Sequence, residues 1–315
     1  MSQNHKTYLV TGGAGFIGSH LIEKLIKDKH NIVLIDDLSS GQLDNIKEID
    51  HAEIITKKVQ KTDLNDLGKI DGIFHLAAQS SVPVSIDDFY SSSSNNLLSS
   101  IRVFEWAKQL GVPVVYASSS AVYGNLAFGD DQVADYDILS PYAQDKLTME
   151  HYARMCWDIF GTPSMGLRFF NVYGPRQDPS NPYSGVISIF VDRLLKTLPV
   201  TVNGGYQTRD FIFVKDIVDV MYQSMGILFI KNQCDFMNVG TNVSVTIDEL
   251  LNIIAEILHV KPEIILKELP KGDPVQSSGT YKKIKTILNI ETDRFINLES
   301  GLKKTVDFIK NDSNI

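Results

Sequence analysis

A doubly wound α/β architecture is predicted for this 315-residue chain by three observations. Short apolar runs alternate with helical periodicity, a glycine-rich turn follows the first run, and an acidic residue closes the second. Tyr8-Leu9-Val10 is the first strand, Phe16 to Lys27 the first helix, and Ile32 to Ile35 the second strand, ending at Asp36-Asp37. Ala52 to Thr56, Gly72 to Leu76 and Val114 to Ala117 supply three more strands. Helical patterns fill Asp87 to Leu110 and Tyr142 to Phe160, and Met165 to Phe170 is a further strand. Beyond Asn171 the pattern loosens, with Pro175, Pro179 and Pro182 marking irregular chain. A helix near Val186 to Lys196 follows, then a strand running into a helix over Phe211 to Met225. Thr246 opens another helix, with Glu249 as its capping-box partner. The expected division is a Rossmann-type domain over 1–171 and a smaller mixed α/β lobe over 172–315, with interleaved connections.

Composition narrows the function classes. A hydrophobic fraction of 43% is ordinary for a soluble chain, and a net charge of -8 repels phosphate backbones, so no nucleic-acid partner is expected. Cys156 and Cys234 stand far apart, outside any C-x-x-C or His/Cys cluster, which predicts free thiols and no metal site. No apolar signal region precedes the first strand, and no stretch has transmembrane length, so a cytoplasmic protein without a membrane partner is expected. The serine run Ser91 to Ser94 has no functional reading at this level.

Thr11 to Gly18 carries the G-x-x-G-x-x-G spacing at Gly12, Gly15 and Gly18, with Phe16 and Ile17 opening the helix. Glycine permits the tight turn and lets backbone N–H groups approach a pyrophosphate at the positive helix end. Asp36 then stands where a carboxylate accepts hydrogen bonds from the adenosine ribose and would repel a 2′-phosphate, which predicts NAD rather than NADP. A loop-capping role for Asp36 or Asp37 is the alternative. Asp63-Leu64, after the third strand, would flank the adenine in the same scheme.

Tyr142 and Lys146 lie four residues apart on a predicted helix and share a face. The Lys146 ammonium and an oxidised nicotinamide are both expected to lower the Tyr142 pKa, making the phenol a general base for a sugar hydroxyl. Tyr281 and Lys285 repeat the spacing, but beside Lys282-Lys283, which predicts a solvated helix face. Ser118-Ser119-Ser120 follow the fifth strand, at the carboxyl edge where open parallel sheets bind ligands. A serine there can relay a proton to Tyr142, while two of the three are equally suited to satisfying loop backbone.

The residues T-G-G-A-G-F-I-G, H-L-A-A (His75 to Ala78), S-S-S-A-V-Y-G, P-Y-A-Q-D-K (Pro141 to Lys146) and R-F-F-N-V-Y-G-P-R (Arg168 to Arg176) resemble those of the extended short-chain dehydrogenase/reductases. The UDP-sugar 4-epimerases are the subgroup most similar, and P-Y-S-G-V-I (Pro182 to Ile187), Q-T-R-D-F (Gln207 to Phe211) and N-V-G-T (Asn238 to Thr241) extend the likeness to about residue 280. The resemblance implies Ser119 as catalytic hydroxyl, with Ser120 assisting, and Ala77 and Ala78 at the cofactor with Tyr142 and Lys146. It implies Asn171 at the substrate diphosphate, Arg209 at a phosphate and Asp273 at the nucleotide ribose. The family's further phosphate-binding Arg is replaced by Pro270, followed by Lys271-Gly272-Asp273, and Lys271 is a point charge rather than a fork.

The implied reaction is inversion at C4 of a UDP-hexose through a transient 4-keto sugar, with NAD regenerated and no metal. Ser277, five places after Gly272, takes the position that borders the sugar's C2 substituent. A small residue there implies that N-acetylated substrates such as UDP-GlcNAc are accepted beside UDP-glucose. A homodimer formed through the two long helices is likewise implied. The alternative chemistry is a nucleotide-sugar 4,6-dehydratase, which needs acid and base where Ser120 and Ala121 stand. A silent NAD-binding regulator would retain the fold without Ser119, Tyr142 and Lys146 acting together.

Overall fold

The computed structural model describes residues 5–47, 52–126, 128–181, 185–270 and 273–312. Pro182, with the rest of 182–184, and Lys271 and Gly272 lie outside the described residues. The chain runs β1 (Thr7–Thr11), α1 (Phe16–Lys27), β2 (Asn31–Ile35), β3 (Ala52–Ile55), β4 (Gly72–His75), α2 (Val82–Asp87), α3 (Phe89–Leu110), β5 (Val114–Ser119), α4 (Pro141–Phe160) and β6 (Ser164–Phe169). It continues through β7 (Asn171–Tyr173), α5 (Val186–Leu195), β8 (Val200–Asn203), β9 (Thr208–Phe213), α6 (Val214–Ile230) and β10 (Cys234–Val239). The remaining elements are β11 (Ser244–Thr246), α7 (Ile247–Leu258), β12 (Ile264–Lys267), α8 (Lys282–Leu288) and α9 (Leu298–Asp312).

Seven strands form one sheet in the order β10-β6-β5-β4-β1-β2-β3. The pairs β1–β2, β1–β4, β2–β3 and β4–β5 are parallel, so the strand order reverses between β1 and β4, the point at which such sheets bind ligands. Leu9, Ile73 and Val114 from the strands and Phe104, Trp106 and Met149 from α3 and α4 form its core. Each such side chain, fully buried, contributes about 1.5–3 kcal/mol. Edge strand β3 departs from the expectation of strands buried on both faces, since Glu53 is exposed and Ile54 stays 44% exposed.

Local chemistry sets the helix ends. The Asp88 side chain caps α3 and the Ser140 side chain caps α4, where Pro141 takes the first-turn position that lacks an N–H obligation. Left-handed Gly111 and Gly161 stop the same two helices. The α7 capping box between Thr246 and Glu249 forms as its spacing predicts.

The chain groups into two compact units that alternate in sequence: Met1–Ser119, Ser140–Arg168 and Val218–Met237 in one; Ser120–Leu139, Phe169–Ile217 and Asn238–Ile315 in the other. Two segments therefore cross the expected 171/172 boundary. Residues 218–237 return because β10 adds to the sheet beside β6. Residues 120–139 leave because Gly129 bridges to Gly279 and Asp131 accepts from the Asn238 N–H. The second unit holds a β11-β9-β7 sheet and a β8–β12 pair, with Phe190, Ile212's neighbours Phe211 and Phe213, Leu250 and Leu302 in or beside its core. Among the described residues no helix is long and apolar enough to cross a membrane.

Candidate active site

Strand register collects the first half of the site. Thr11 pairs with Ile35 on one side and His75 on the other, and His75 pairs with Tyr116. The residues leaving those strands, Gly12, Asp36, Leu76 and Ala117 to Ser119, thus emerge along one carboxyl edge. Gly12 has φ +72°, and a Cβ on it would stand 2.7 Å from the Ala77 nitrogen; one on Gly18 would collide with the Gly12 carbonyl oxygen. A Cβ on Gly15 would stand 3.2 Å from that oxygen. The first hydrogen bond within α1 runs from Ser19 N to Gly15 O, so the amides of Phe16, Ile17 and Gly18 precede it, the arrangement that suits an anion.

Asp36 is buried and accepts from Ala14 N at 3.0 Å and Leu38 N at 2.9 Å, one bond to each carboxylate oxygen. A lone pair on each oxygen remains for a ribose hydroxyl. Burial pushes the Asp36 carboxyl up, and the two backbone donors draw it back. A Cβ on Gly41 would stand 2.9 Å from both of those oxygens, so glycine there keeps the approach to the carboxylate clear. Asp63 is exposed and caps a short 3₁₀ turn, accepting from Asn65 N, while Leu64 packs on the sheet core. Ala77 donates its N–H to the Thr11 hydroxyl at 3.2 Å, and Ala78 is half-buried beside it.

His75 holds that edge together and was missed as a functional residue, although its motif signals it. Its Nδ1 lies 2.7 Å from the Thr11 hydroxyl and its Nε2 3.1 Å from the Ser100 hydroxyl, tying β1, β4 and α3. Burial first, and the Lys146 charge second, lower the ring to about 3, so it is neutral.

The candidate Tyr142–Lys146 pair sits on α4. Tyr142, Lys146 and Glu150 recur every four residues and share a face, all three buried. The Tyr142 backbone N–H is fixed by the Ser85 hydroxyl, and its phenol is hydrogen-bonded to the Ser119 side chain. Lys146 donates to the Ala117 carbonyl at 2.6 Å, and its Nζ stands 5.6 Å from the Tyr142 ring centre. Burial pulls Lys146 down to about 8, against upward pulls from Asp145 and Glu150. The Tyr142 phenol departs from expectation: burial raises it most, the Ser119 hydroxyl lowers it and Asp145 raises it again. Burial of the phenolate outweighs the Ser119 hydrogen bond, so the chain's own groups raise this phenol rather than lower it.

Ser118 satisfies a side chain rather than loop backbone, its hydroxyl donating a hydrogen bond to Glu150 at 2.5 Å. Arg168, fully buried, clamps the same carboxylate at 2.6 and 2.8 Å. Removing one member of such a pair costs about 3–5 kcal/mol. Glu150 and Arg168 were missed as supports of the site; the eight-residue spacing from Tyr142 to Glu150 was their signal.

The second unit carries the residues assigned to the substrate. Ser120 opens a 3₁₀ turn over Ser120–Tyr123. Asn171 begins β7 and donates to the Asp210 carbonyl at 3.3 Å. Arg209 and Asp273 form an ion pair at 2.5 Å, so the expected phosphate ligand and ribose ligand meet each other. Ser277 is half-buried, and its carbonyl accepts from Ser244. Just beyond it, Gly129 N donates to Ser278 O at 2.8 Å and Thr280 N to Gly129 O at 2.9 Å, so this stretch is pinned rather than loose.

Tyr281 corrects a second expectation. It is no solvated helix face: it precedes α8, is buried, and donates to Asp210 at 2.5 Å. Lys282 and Lys285 are exposed while its ring packs on Phe170. Its phenol is pushed far up by burial and by the Asp210 carboxylate, which makes it a donor fixed in the core.

Residues 8–240 match the NAD dependent epimerase/dehydratase family. UDP-glucose 4-epimerase of Mycolicibacterium smegmatis is 35% identical over 97% of this chain and 99% of its own. A UDP-N-acetylglucosamine 4-epimerase from Methanobrevibacter ruminantium, solved with UDP-N-acetylmuramic acid, superposes with TM-score 0.91 at 32% identity, covering 98% of this chain and 100% of that one. UDP-glucose 4-epimerase of Thermus thermophilus, solved with NAD, does so with TM-score 0.86 at 30% identity, covering 96% and 99%. A parallel sheet with a glycine-turned carboxyl edge and a Ser-Tyr-Lys set defines an enzyme of the extended short-chain dehydrogenase/reductase class. The chain belongs to its NAD-dependent epimerase/dehydratase family, and its cofactor is NAD.

Proposed function

We propose that the chain is a UDP-sugar 4-epimerase that accepts N-acetylated and non-acetylated hexoses. The observation that carries the reading is the hydrogen-bonded Ser119–Tyr142 pair with Lys146 one turn along, at the edge shared with Gly12 and Asp36. The N-terminal amides of α1, Gly12, Gly15 and Gly18 hold the pyrophosphate of NAD, Asp36 its adenosine ribose, and Asp63 and Leu64 border the adenine. Ala77 and Ala78 border the cofactor as well. When bound, NAD would supply a reversible hydride acceptor at C4, and inversion would follow from the 4-keto sugar turning over about its diphosphate linkage.

Tyr142 withdraws the C4 hydroxyl proton and Ser119 relays it, while the Lys146 ammonium together with the positive charge of the oxidised cofactor would offset the burial that opposes the phenolate. Ser120 assists at the sugar. Asn171 orients the diphosphate, Arg209 takes a phosphate in its guanidinium fork and Asp273 the nucleotide ribose, their mutual ion pair holding both ready before substrate arrives. Ser277 leaves room for a C2 substituent, and the hydrogen bonds that pin Ser278 to Thr280 against Gly129 support a fixed wall there. Cytoplasmic residence and a homodimer through α3 and α4 complete the reading.

NMR of purified enzyme with UDP-glucose, UDP-N-acetylglucosamine and UDP-glucuronate in turn tests it. Inversion at C4 is expected for the first two. Ser277→Tyr should suppress the N-acetylated pair by steric overlap and spare UDP-glucose. Equal loss of both activities, or a wild type that ignores N-acetylated sugars, overturns the assignment of Ser277.

A further inference from the structure

Asp145 stands between the two reacting residues in sequence and is buried, although neither the cofactor nor the substrate assignment uses it. A carboxylate beside a lysine on a helix is ordinarily solvated surface charge. Here α3 reaches across to hold it: Asn96 donates its amide to Asp145 Oδ2 at 3.3 Å, and the Ser93 hydroxyl bonds the same side chain. Asn96 is itself fixed, accepting from the Gln79 N–H at 2.7 Å and donating to the Gln79 carbonyl at 3.1 Å, while Ser92 donates to the Gln79 side chain. The serine run of α3 thereby gains a purpose. It presents hydroxyls to a buried acid and to the segment that follows the His75 motif.

The neighbouring charges leave Asp145 a single task. Glu150 on α4 is matched by Arg168 from β6 and by the Ser118 hydroxyl. His75 from β4 is neutral. The charged groups of α2 and α3 are turned away: Asp87 and Asp88 are exposed, Arg102 pairs with Glu105, and Lys108 covers the Phe160 ring. Tyr142 and Lys146 are what remains to sense the carboxylate, and its charge acts on both.

We propose that Asp145, clamped by Asn96 and Ser93, is a positioning residue that serves as counter-charge to Lys146 and fixes the pH range in which the Tyr142–Lys146 pair works. The proposal rests on the assignment of that pair as the reacting groups. With Asp145 ionised, loss of a proton from either group is opposed, so Lys146 stays an ammonium at neutral pH although it is desolvated. Without that charge both protons leave more readily, and the acid and alkaline limbs of the rate profile move together toward lower pH.

The experiment is the pH dependence of kcat and kcat/KM for UDP-glucose epimerisation by the NAD-loaded enzyme. Asp145→Asn keeps the shape and loses the charge, Asp145→Ser keeps only a hydroxyl, and Asp145→Glu restores the charge. Both neutral variants should shift the profile acidward by about one pH unit, the effect of one nearby buried charge, with Asp145→Glu returning it toward the wild type. A lower kcat on an unmoved profile overturns the proposal, as does failure of both neutral variants to fold, which would assign Asp145 to packing. Tyr142→Phe is measured alongside. If it remains active, the pair itself is misassigned; if it is inactive while the neutral variants do not shift, the pair stands and the role of Asp145 falls.

Discussion

Tyr142 and Tyr281 have the same four-residue spacing to a lysine and opposite fates, and burial partners make the difference. Tyr142 faces Ser119 and Lys146, whereas Tyr281 faces Asp210, which also accepts from the Thr241 and Asn242 N–H groups. Tyr142→Phe should lower kcat by about 10²–10⁴ while circular dichroism and NAD binding stay close to wild type. Tyr281→Phe should leave kcat within a few fold and cost about 1–3 kcal/mol of stability in a urea titration, because a buried carboxylate loses a donor. Equal loss of activity in the two variants would misplace the catalytic tyrosine. Asp36 offers a separate check: Asp36→Ala should narrow the preference for NAD over NADP, and a wild type that binds both alike would remove its ribose role. The glycine turn and the Ser-Tyr-Lys set were legible because each demands particular residue types at fixed spacing. Tyr281 was not, since the run Lys282-Lys283 advertises solvent while saying nothing about the residue just before it.

Helices and strands carry the site through a few shared side chains. The ends of β1 and β4 are joined to α3 by the Thr11–His75–Ser100 chain, and α4 is anchored at its start by Ser85 of α2. The buried neutral His75 gives this join a pH signature. Its folded value of about 3 lies below its ordinary 6.5, so the unfolded chain binds a proton that the native chain refuses. Its contribution is intact above 6.5 and is lost progressively as pH falls toward 3. Wild type should therefore lose up to about 1.4 kcal/mol per pH unit more than His75→Asn across that window, read from denaturant midpoints. Parallel slopes would show that the imidazole takes up its proton in the folded state. From β1 to β6 the strands and the longer helices were readable from periodicity, whereas β8, β10 and β12 were not. Nor was α2, because six residues are too few for a helical period to show, while the start of α3 near Asp88 was.

At the scale of the molecule, apolar patterning sufficed to identify six of the seven strands of the large sheet, while β10 and the two-unit grouping follow contacts that no local pattern encodes. Segments 120–139 and 218–237 change units through long-range partners such as Asn238 for Asp131, more than a hundred residues away. The substrate set has the same character. Arg209 and Asp273 were each proposed singly, and their ion pair is visible only in three dimensions. In the proposed reaction, oxidation at C4 is reversed within one turnover, with neither reducing equivalents nor water lost. Mass spectrometry of the sugar nucleotide after incubation with UDP-glucose, with absorbance of reduced cofactor followed in parallel, tests this most directly. A product of unchanged mass, inverted at C4, with no NADH accumulating in step with turnover, is the predicted result; a product lighter by one water would contradict it and make the enzyme a dehydratase.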